Sequence, residues 1–511
     1  MTAIGRTWSI SLLGLTGAVV EIEADISNTL PAFVLIGLPD AALGEAKDRV
    51  RAAATNSGCG LPQRKITVNL SPAALPKQGS VHDLGIALAA LAAAGMVSSE
   101  SIGRVLHLGE LGLDGRLRPV DGVLPAVVAA VRAGFDTVMV PTGNADEASL
   151  VPGVTVWAVP SLREAAIRHG GEFESEPVEP ILRSDVDVEP DAVGDLADVI
   201  GNPDAAHALV AAAAGGHHMF LLGPPGAGKT MLASRLPGIL PDLDTDQALD
   251  VTSVRSVSGH AVGERLVTRP PFEAPHHTAS AVALIGGGSG RIRPGAASRA
   301  AHGVLFLDEA PEFSPAVLDA LRQPLESGVI TVHRAMGAAT FPGRFQLVLA
   351  ANPCPCGQSG ARDAECTCAP HARRRYLGRL SGPLLDRIDI QLRVSRITAV
   401  QLRMADEGER MTSSDARRRV AAARAVAAAR FAGRPWSLNA HAPGRWLRGA
   451  GATSRVATSG LDRALERGGI TMRGYDRVLR LAWTLADLAE LERPGADEVG
   501  QALYLRRAMS A

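Results

Sequence analysis

Residues 219–230 read Met-Phe-Leu-Leu-Gly-Pro-Pro-Gly-Ala-Gly-Lys-Thr, and this stretch decides the fold. Four consecutive apolar residues suit a strand buried on both faces. The loop Gly223-Pro224-Pro225-Gly226-Ala227-Gly228 follows at once, and Met231-Leu-Ala-Ser-Arg235 continues with helical character. Strand, glycine-rich loop and helix form the setting in which Gly-x-x-x-x-Gly-Lys-Thr wraps phosphates. The glycines let main-chain N–H groups curl around an anion, and the helix N-terminus favours negative charge. Lys229 is expected to reach the β- and γ-phosphates of ATP, and Thr230 to ligate Mg²⁺.

Two later runs complete the pattern. Val304-Leu-Phe-Leu-Asp308-Glu309 is a second buried strand ending in two carboxylates. Asp308 is expected to hold Mg²⁺ through water, and Glu309 to act as general base on the attacking water. Gln346-Leu-Val-Leu-Ala-Ala-Asn352 is a third apolar strand, whose terminal Asn352 suits orientation of that water near the γ-phosphate. Any one run alone reads equally well as a buried strand with a polar end. The three in this order read as a catalytic α/β nucleotide site.

Away from this core the text changes twice. From Gly171 to Asp195 there are nine acids, one base (Arg183) and three prolines, without helical periodicity, which reads as a solvated linker or loosely packed strap. After about residue 396 the text is rich in Ala and Arg with helical spacing, notably 417–431, 461–467 and 475–491. The expected organisation is an N-terminal α/β domain (1–170), an acidic linker (171–195), a central α/β ATPase core (196–395) and a C-terminal helical lid (396–511). The formal net charge of -1 gives no global argument for nucleic acid, so a basic surface has to be local. No run of about eighteen apolar residues is present, and Met1–Trp8 lacks the pattern of a secretory signal, so a cytoplasmic protein without membrane contact is expected.

Four of the five cysteines fall at Cys354, Cys356, Cys366 and Cys368. Four thiolates on one loop suit tetrahedral structural zinc. The Cys-x-Cys spacing is tighter than usual, so reduced thiols without metal and a redox-active pair stay open as alternatives. Cys59 reads as a small core residue.

Pro271-Phe-Glu-Ala-Pro-His-His-Thr-Ala-Ser280, Leu284-Ile-Gly-Gly-Gly288, Gly303–Phe313, Asn352-Pro-Cys-Pro-Cys-Gly357 and Leu380-Ser-Gly-Pro-Leu-Leu-Asp-Arg-Ile-Asp389 together resemble the magnesium-chelatase-type branch of the AAA+ ATPases, and within it the ComM/YifB family. The resemblance covers nearly the whole chain. It implies that Arg387 is an arginine finger reaching the ATP of a neighbouring subunit, that Arg473 is the lid sensor arginine, and that the protein forms a homo-oligomeric ring, a hexamer. It also implies pore-lining inserts: one around 265–290, and a hairpin from Gly328-Val-Ile-Thr-Val-His-Arg-Ala that turns at Met336-Gly-Ala-Ala and returns through 340–345. The alternating apolar residues support the hairpin independently. Arg291, Arg293, His333 and Arg334 are expected to meet DNA phosphates there; solvated loops are the plain alternative.

Residues 1–170 resemble the Lon-protease-type domain, carried by Gly109-Glu-Leu-Gly-Leu-Asp-Gly-Arg-Leu-Arg-Pro-Val-Asp-Gly122 and Ala129–Pro141. A peptidase of that type needs a serine and a lysine in hydrogen-bond reach. The lysine slot reads Leu124, and the serine slot falls on Val81 with Ser80 one place early, so no peptidase activity is expected. Pairing of Ser80 with Lys77 or His82 is the competing reading. Family membership implies ATP-driven translocation on single-stranded or branched DNA, helicase action and branch migration in recombination or transformation, with recombination proteins as partners. A chelatase-type motor that remodels a protein partner for metal insertion is the alternative, and a non-hydrolysing ATP-binding scaffold is a third.

Overall fold

The computed structural model describes all residues except 1–3, 38–43, 78, 184–193, 289–290, 335–336, 360–364, 399–400, 404–409 and 508–511. The chain is α/β, as expected, with two separate sheets and a helical C-terminal part.

The first sheet has seven strands in the order Ala32–Ile36, Lys65–Ser71, Thr16–Ser27, Gly5–Leu13, Leu106–His107, Thr137–Pro141 and Thr155–Val159. Its first-half strands are joined by antiparallel pairing of Gly5–Leu13 with Thr16–Ser27 and of the latter with Lys65–Ser71, while the other neighbours are parallel. Helix Asp83–Ala93 is buried along almost its whole length. Its run of Ala, Leu and Ile without a polar face is what such burial requires. Gly5 permits the contact: a Cβ there would lie 2.0 Å from the Ala89 carbonyl oxygen.

The second sheet is entirely parallel, in the order Phe272–Glu273, Val304–Leu307, Gln346–Ala351, Met219–Leu222 and Ile390–Arg393. Both faces are covered, so the three central strands are continuous apolar runs rather than alternating ones. Helix Pro203–Gly215 starts with proline and ends at left-handed Gly216, the two residues suited to those positions. It packs between this sheet and the C-terminal helices, whose Leu481, Ala482 and Trp483 join one core with Leu209, Leu221 and Ile390.

Helices Ser413–Arg430, Arg455–Glu466 and Met472–Leu488 each begin behind a Thr or Ser whose side chain accepts from a main-chain N–H in the first turn. They begin several residues earlier than the periodicity of apolar residues alone suggests. The last stops at Leu488 rather than 491, because Glu490 takes a positive φ of 57°. A further helix, Ala496–Arg507, closes the chain. Among the described residues no helix is long and apolar enough to cross a membrane.

The two sheets are in direct contact. Gly14 bridges to Thr340, and Leu12, Leu13 and Leu15 pack on the core that holds Ile330 and Phe341. Gly122 N donates to Ser256 O at 3.2 Å, and the Ser256 hydroxyl donates to buried Glu147. The acidic segment is regular nowhere between 172 and 183, yet it is held: Arg163 pairs with Glu176, and Arg183 donates to Asp121 (2.6 Å), Val120 O (2.9 Å) and His260 O (3.1 Å). Its single base is therefore its pin, which favours the strap over the free linker in the described part. Residues 184–193 lie outside the described residues.

Candidate active site

The loop after Met219–Leu222 sits at the C-terminal edge of the parallel sheet, where such folds place their ligands. Gly226 and Gly228 take φ of 77° and 86°, the left-handed conformation that glycine adopts without strain. Gly223 N donates to Ala351 O at 3.1 Å, and a Cβ on Gly223 would meet Val394 O at 2.3 Å. The loop is thus clamped between its two neighbouring strands.

Lys229 opens helix Lys229–Ile239, and its Nζ donates to Gly223 O (2.7 Å), Pro224 O (3.1 Å) and Asn352 Oδ1 (3.1 Å). Burial lowers the Lys229 pKa, and the charges of Asp308 and Glu309 oppose that shift. Thr230 Oγ1 donates to Asp308 Oδ2 at 2.7 Å, and Glu309 N donates to Asp308 Oδ1 at 2.8 Å. The structure therefore brings Lys229, Thr230, Asp308, Glu309 and Asn352 to one place. Thr230 and Asp308 present two adjacent oxygens of the kind a hard divalent cation prefers, so they fit Mg²⁺.

Two residues beside this cluster escaped the sequence reading. Glu309 has left-handed backbone (φ 49°, ψ 41°), and its Oε2 lies 3.2 Å from His277 Nδ1. Tyr376 is buried against Asn352, and its phenol is pushed up to about 12 by burial and then by Glu312 and Glu309. The adjacent pair His276-His277 stands plainly in the quoted motif. Nothing in its spacing to residue 309 links them before the strands are paired.

The two arginines assigned from resemblance lie elsewhere. Arg387 is largely buried; it pairs with Glu326, donates to Pro383 O at 2.6 Å, and keeps a buried Nε without a partner among the described residues. Arg473 is exposed on the first turn of Met472–Leu488 and has no hydrogen bond or ion pair among the described residues. One turn on, Arg477 donates to buried Asp389 at 2.6 Å, and His217 Nδ1 approaches the same carboxylate at 3.2 Å. Burial alone would raise Asp389; Arg477 and His217 outweigh it and hold the carboxyl well below its ordinary range. His217 Nε2 also meets Thr484 Oγ1 at 2.7 Å, so this network ties the last long helix to the sheet.

The four loop thiols do converge. All four Sγ atoms lie within 4.8 Å of one another, with Cys354–Cys356 at 3.3 Å and Cys366 at 3.6 Å from both. Hydrogen bonding from the Gln358 main chain and then from Cys354 lowers the Cys356 thiol to about 6, the thiolate form that metals bind. The loop also touches the phosphate loop: a Cβ on Gly357 would meet Pro225 Cδ at 2.6 Å. Cys59 is buried in the first core, as expected.

The hairpin expected at 328–345 is present as Val329–Arg334 paired with Gly337–Pro342. Its return is earlier than expected: Arg334 faces Gly337, so Ala338 and Ala339 are ladder residues, not turn residues. His333, Arg334 and Arg293 are exposed. Arg291 is not available in the same way. It donates to Asp121 O at 3.1 Å and lies 3.6 Å from the Asp121 carboxylate, so it binds the first sheet's segment instead of facing a pore.

In the first sheet, Ser80 donates to Glu110, while buried Lys77 donates to Gly37 O (2.9 Å) and Pro72 O. His82 Nδ1 pairs with Ser9 Oγ at 2.9 Å. Ser80 thus meets neither Lys77 nor His82 among its hydrogen-bond partners. Leu124 is fully buried, with its N–H given to Glu147 at 3.0 Å.

Comparison with known proteins agrees with this architecture. Residues 195–402 match the family profile described as magnesium chelatase, subunit ChlI; residues 22–144 match subunit ChlI of Mg-chelatase; and 410–506 match the ChlI C-terminal profile. An uncharacterized protein of Mycobacterium tuberculosis is 51% identical over 99% of both chains. Competence protein ComM of Haemophilus influenzae is 39% identical, over 99% of this chain and 97% of its own. YifB of Salmonella typhimurium is 39% identical over 97% and 95%. The N-terminal part also has a weak likeness, 30% identity over 155 residues, to a Lon protease of Mycolicibacterium smegmatis.

Proposed function

The chain belongs to the ComM/YifB family of magnesium-chelatase-type AAA+ ATPases, and from that premise we propose that it works as a ring of identical subunits, a hexamer, coupling ATP hydrolysis to movement along DNA. The observation that carries the ATPase part is the convergence of Lys229, Thr230, Asp308 and Asn352 on one loop edge. In this reading Lys229 exchanges its three carbonyl contacts for the β- and γ-phosphates. Thr230 and Asp308 hold Mg²⁺, which neutralises charge on the transferred phosphoryl group. Glu309 takes the proton of the attacking water, and Asn352 orients that water. The residues of the phosphate loop, Gly223 to Gly228, supply main-chain N–H groups to the phosphates.

Arg387 serves as the finger toward the neighbouring subunit's nucleotide, which requires release from Glu326 when the ring assembles. Arg473, unpaired in the single chain, is free to meet the nucleotide from the lid. The division at 170, 195 and 395 goes with this reading, and the first domain acts as a platform without peptidase activity: Leu124 offers no base, and Ser80 has Glu110 as its partner. Cys354, Cys356, Cys366 and Cys368 hold structural zinc, the use that four converging thiols suit best.

The DNA part draws on the likeness to the competence protein and on the exposed His333, Arg334 and Arg293. The chelatase-type motor is favoured by the names of the matching family profiles and uses the same ATP site. Strand displacement separates the two. On a labelled forked DNA, ATP-dependent release that is absent with Lys229→Ala supports the DNA reading. Tight ring formation and hydrolysis with no displacement of any forked or branched DNA supports a motor acting on protein.

A further inference from the structure

Glu309 is held from outside the nucleotide loop and its flanking strands. Its carboxylate Oε2 lies 3.2 Å from His277 Nδ1, and both side chains are part-exposed. The His276 ring stacks on His277 with centroids 4.1 Å apart, and His276 Nδ1 shares a hydrogen bond with Thr278 Oγ1 at 2.9 Å, which braces the pair. Just downstream, Ser280 caps helix Ala281–Ile285, and Gly286–Gly287 then pairs with Arg293–Pro294. Gly287 in turn lies against the exposed hairpin: a Cβ there would come within 2.8 Å of Arg334 Nη2. His277 is therefore the site-facing end of an insert whose far end touches the hairpin.

We propose that His277 is a positioning residue that holds the Glu309 carboxylate away from the attacking water until the insert moves. The inference rests on the ATPase reading above. A carboxylate that accepts an imidazole N–H is turned toward that donor and is a weaker base than a free one. In the reaction itself His277 exchanges no proton. Water oxygen bonds to the γ-phosphorus, the bond to the bridging oxygen of ADP breaks, and the water's proton passes to Glu309. Displacement of the insert by a strand pressing on the hairpin withdraws His277 and frees the carboxylate.

The test is steady-state ATP turnover of the full chain without DNA and with a single-stranded oligonucleotide, for wild type, His277→Ala, His277→Gln and the Lys229→Ala blank. His277→Ala is expected to raise basal kcat about threefold or more with KM for ATP unchanged, and to lose most of the further stimulation by DNA. His277→Gln, which keeps an N–H donor, is expected to stay near wild type. Basal kcat of His277→Ala at or below the wild-type value overturns the proposal, and so does an equal rise in both variants. A basal rise with undiminished fold-stimulation overturns the link to the insert. Wild-type turnover no higher than the blank sinks the ATPase reading itself and this inference with it; turnover above the blank with an inert His277→Ala sinks the inference alone.

Discussion

Asp308 and Glu309 are adjacent carboxylates with different surroundings, and the difference assigns their roles. Asp308 has one oxygen on Thr230 and the other on the Glu309 main chain, so it is fixed beside the loop. Glu309, exposed and bent out of the strand by its left-handed backbone, is free to be aimed. Glu309→Gln keeps size and hydrogen bonding but removes the base. It is expected to lower ATP turnover by about 10²- to 10⁴-fold, with binding of a fluorescent nucleotide analogue within about twofold of wild type. Turnover within about threefold of wild type would remove Glu309 from the chemistry. The members of this cluster were legible in the sequence because each ends a strand or opens a helix in a fixed loop spacing. His277 and Tyr376 were not, since they reach the cluster only through the pairing of Phe272–Glu273 with Val304–Leu307 and the return of the thiol loop. Arg291 misled for a related reason: a cation in an insert says nothing of which carboxylate folds against it, and here that is Asp121.

At the scale of elements, buried strands and capped helices were the legible parts. Met219–Leu222, Val304–Leu307 and Gln346–Ala351 are apolar throughout, and only a covered parallel sheet demands that. Helix ends were less legible, because Thr412, Ser454 and Thr471 set them through single hydrogen bonds outside the apolar pattern. The hairpin return was misplaced by three residues because Gly337-Ala-Ala reads as turn, while its small side chains fit a ladder equally well. The thiol loop carries the element-scale prediction. Protein purified without chelator is expected to hold about one equivalent of zinc. Cys354→Ser, which removes the most buried of the four ligands, is expected to lose the metal and, because Gly357 rests on Pro225, to weaken nucleotide binding. Cobalt substitution should give the visible bands of a tetrahedral thiolate site. Less than about a tenth of an equivalent of any transition metal would exclude the centre.

For the whole molecule, two sheets share one working unit through Asp121, Glu147 and the Gly14–Thr340 bridge. The first sheet also carries an acid-sensitive interior. Burial holds His82 and His169 to about 4, and burial followed by the neighbouring His169 lowers His107 well below its ordinary value. The unfolded chain takes up protons on these groups near 6.5 and the folded chain does not, so stability falls as pH drops from about 6.5 toward about 4. Asp83 has the opposite sign: burial, against the pull of Arg49, raises it to about 6, and it offsets part of one histidine. The net loss is expected to approach about 1–3 kcal/mol per pH unit in that window. Hydrogen exchange in helix Asp83–Ala93 should accelerate between pH 7 and 5 beyond its chemical pH dependence, and protection independent of pH would contradict the account. The central claim, that this ring hydrolyses ATP in response to DNA, is tested most directly by ATP turnover at low salt with and without single-stranded and forked DNA, using Lys229→Ala as the blank. The account predicts strong stimulation by DNA that disappears in Arg387→Ala while nucleotide still binds. Robust turnover that ignores every DNA offered would contradict it.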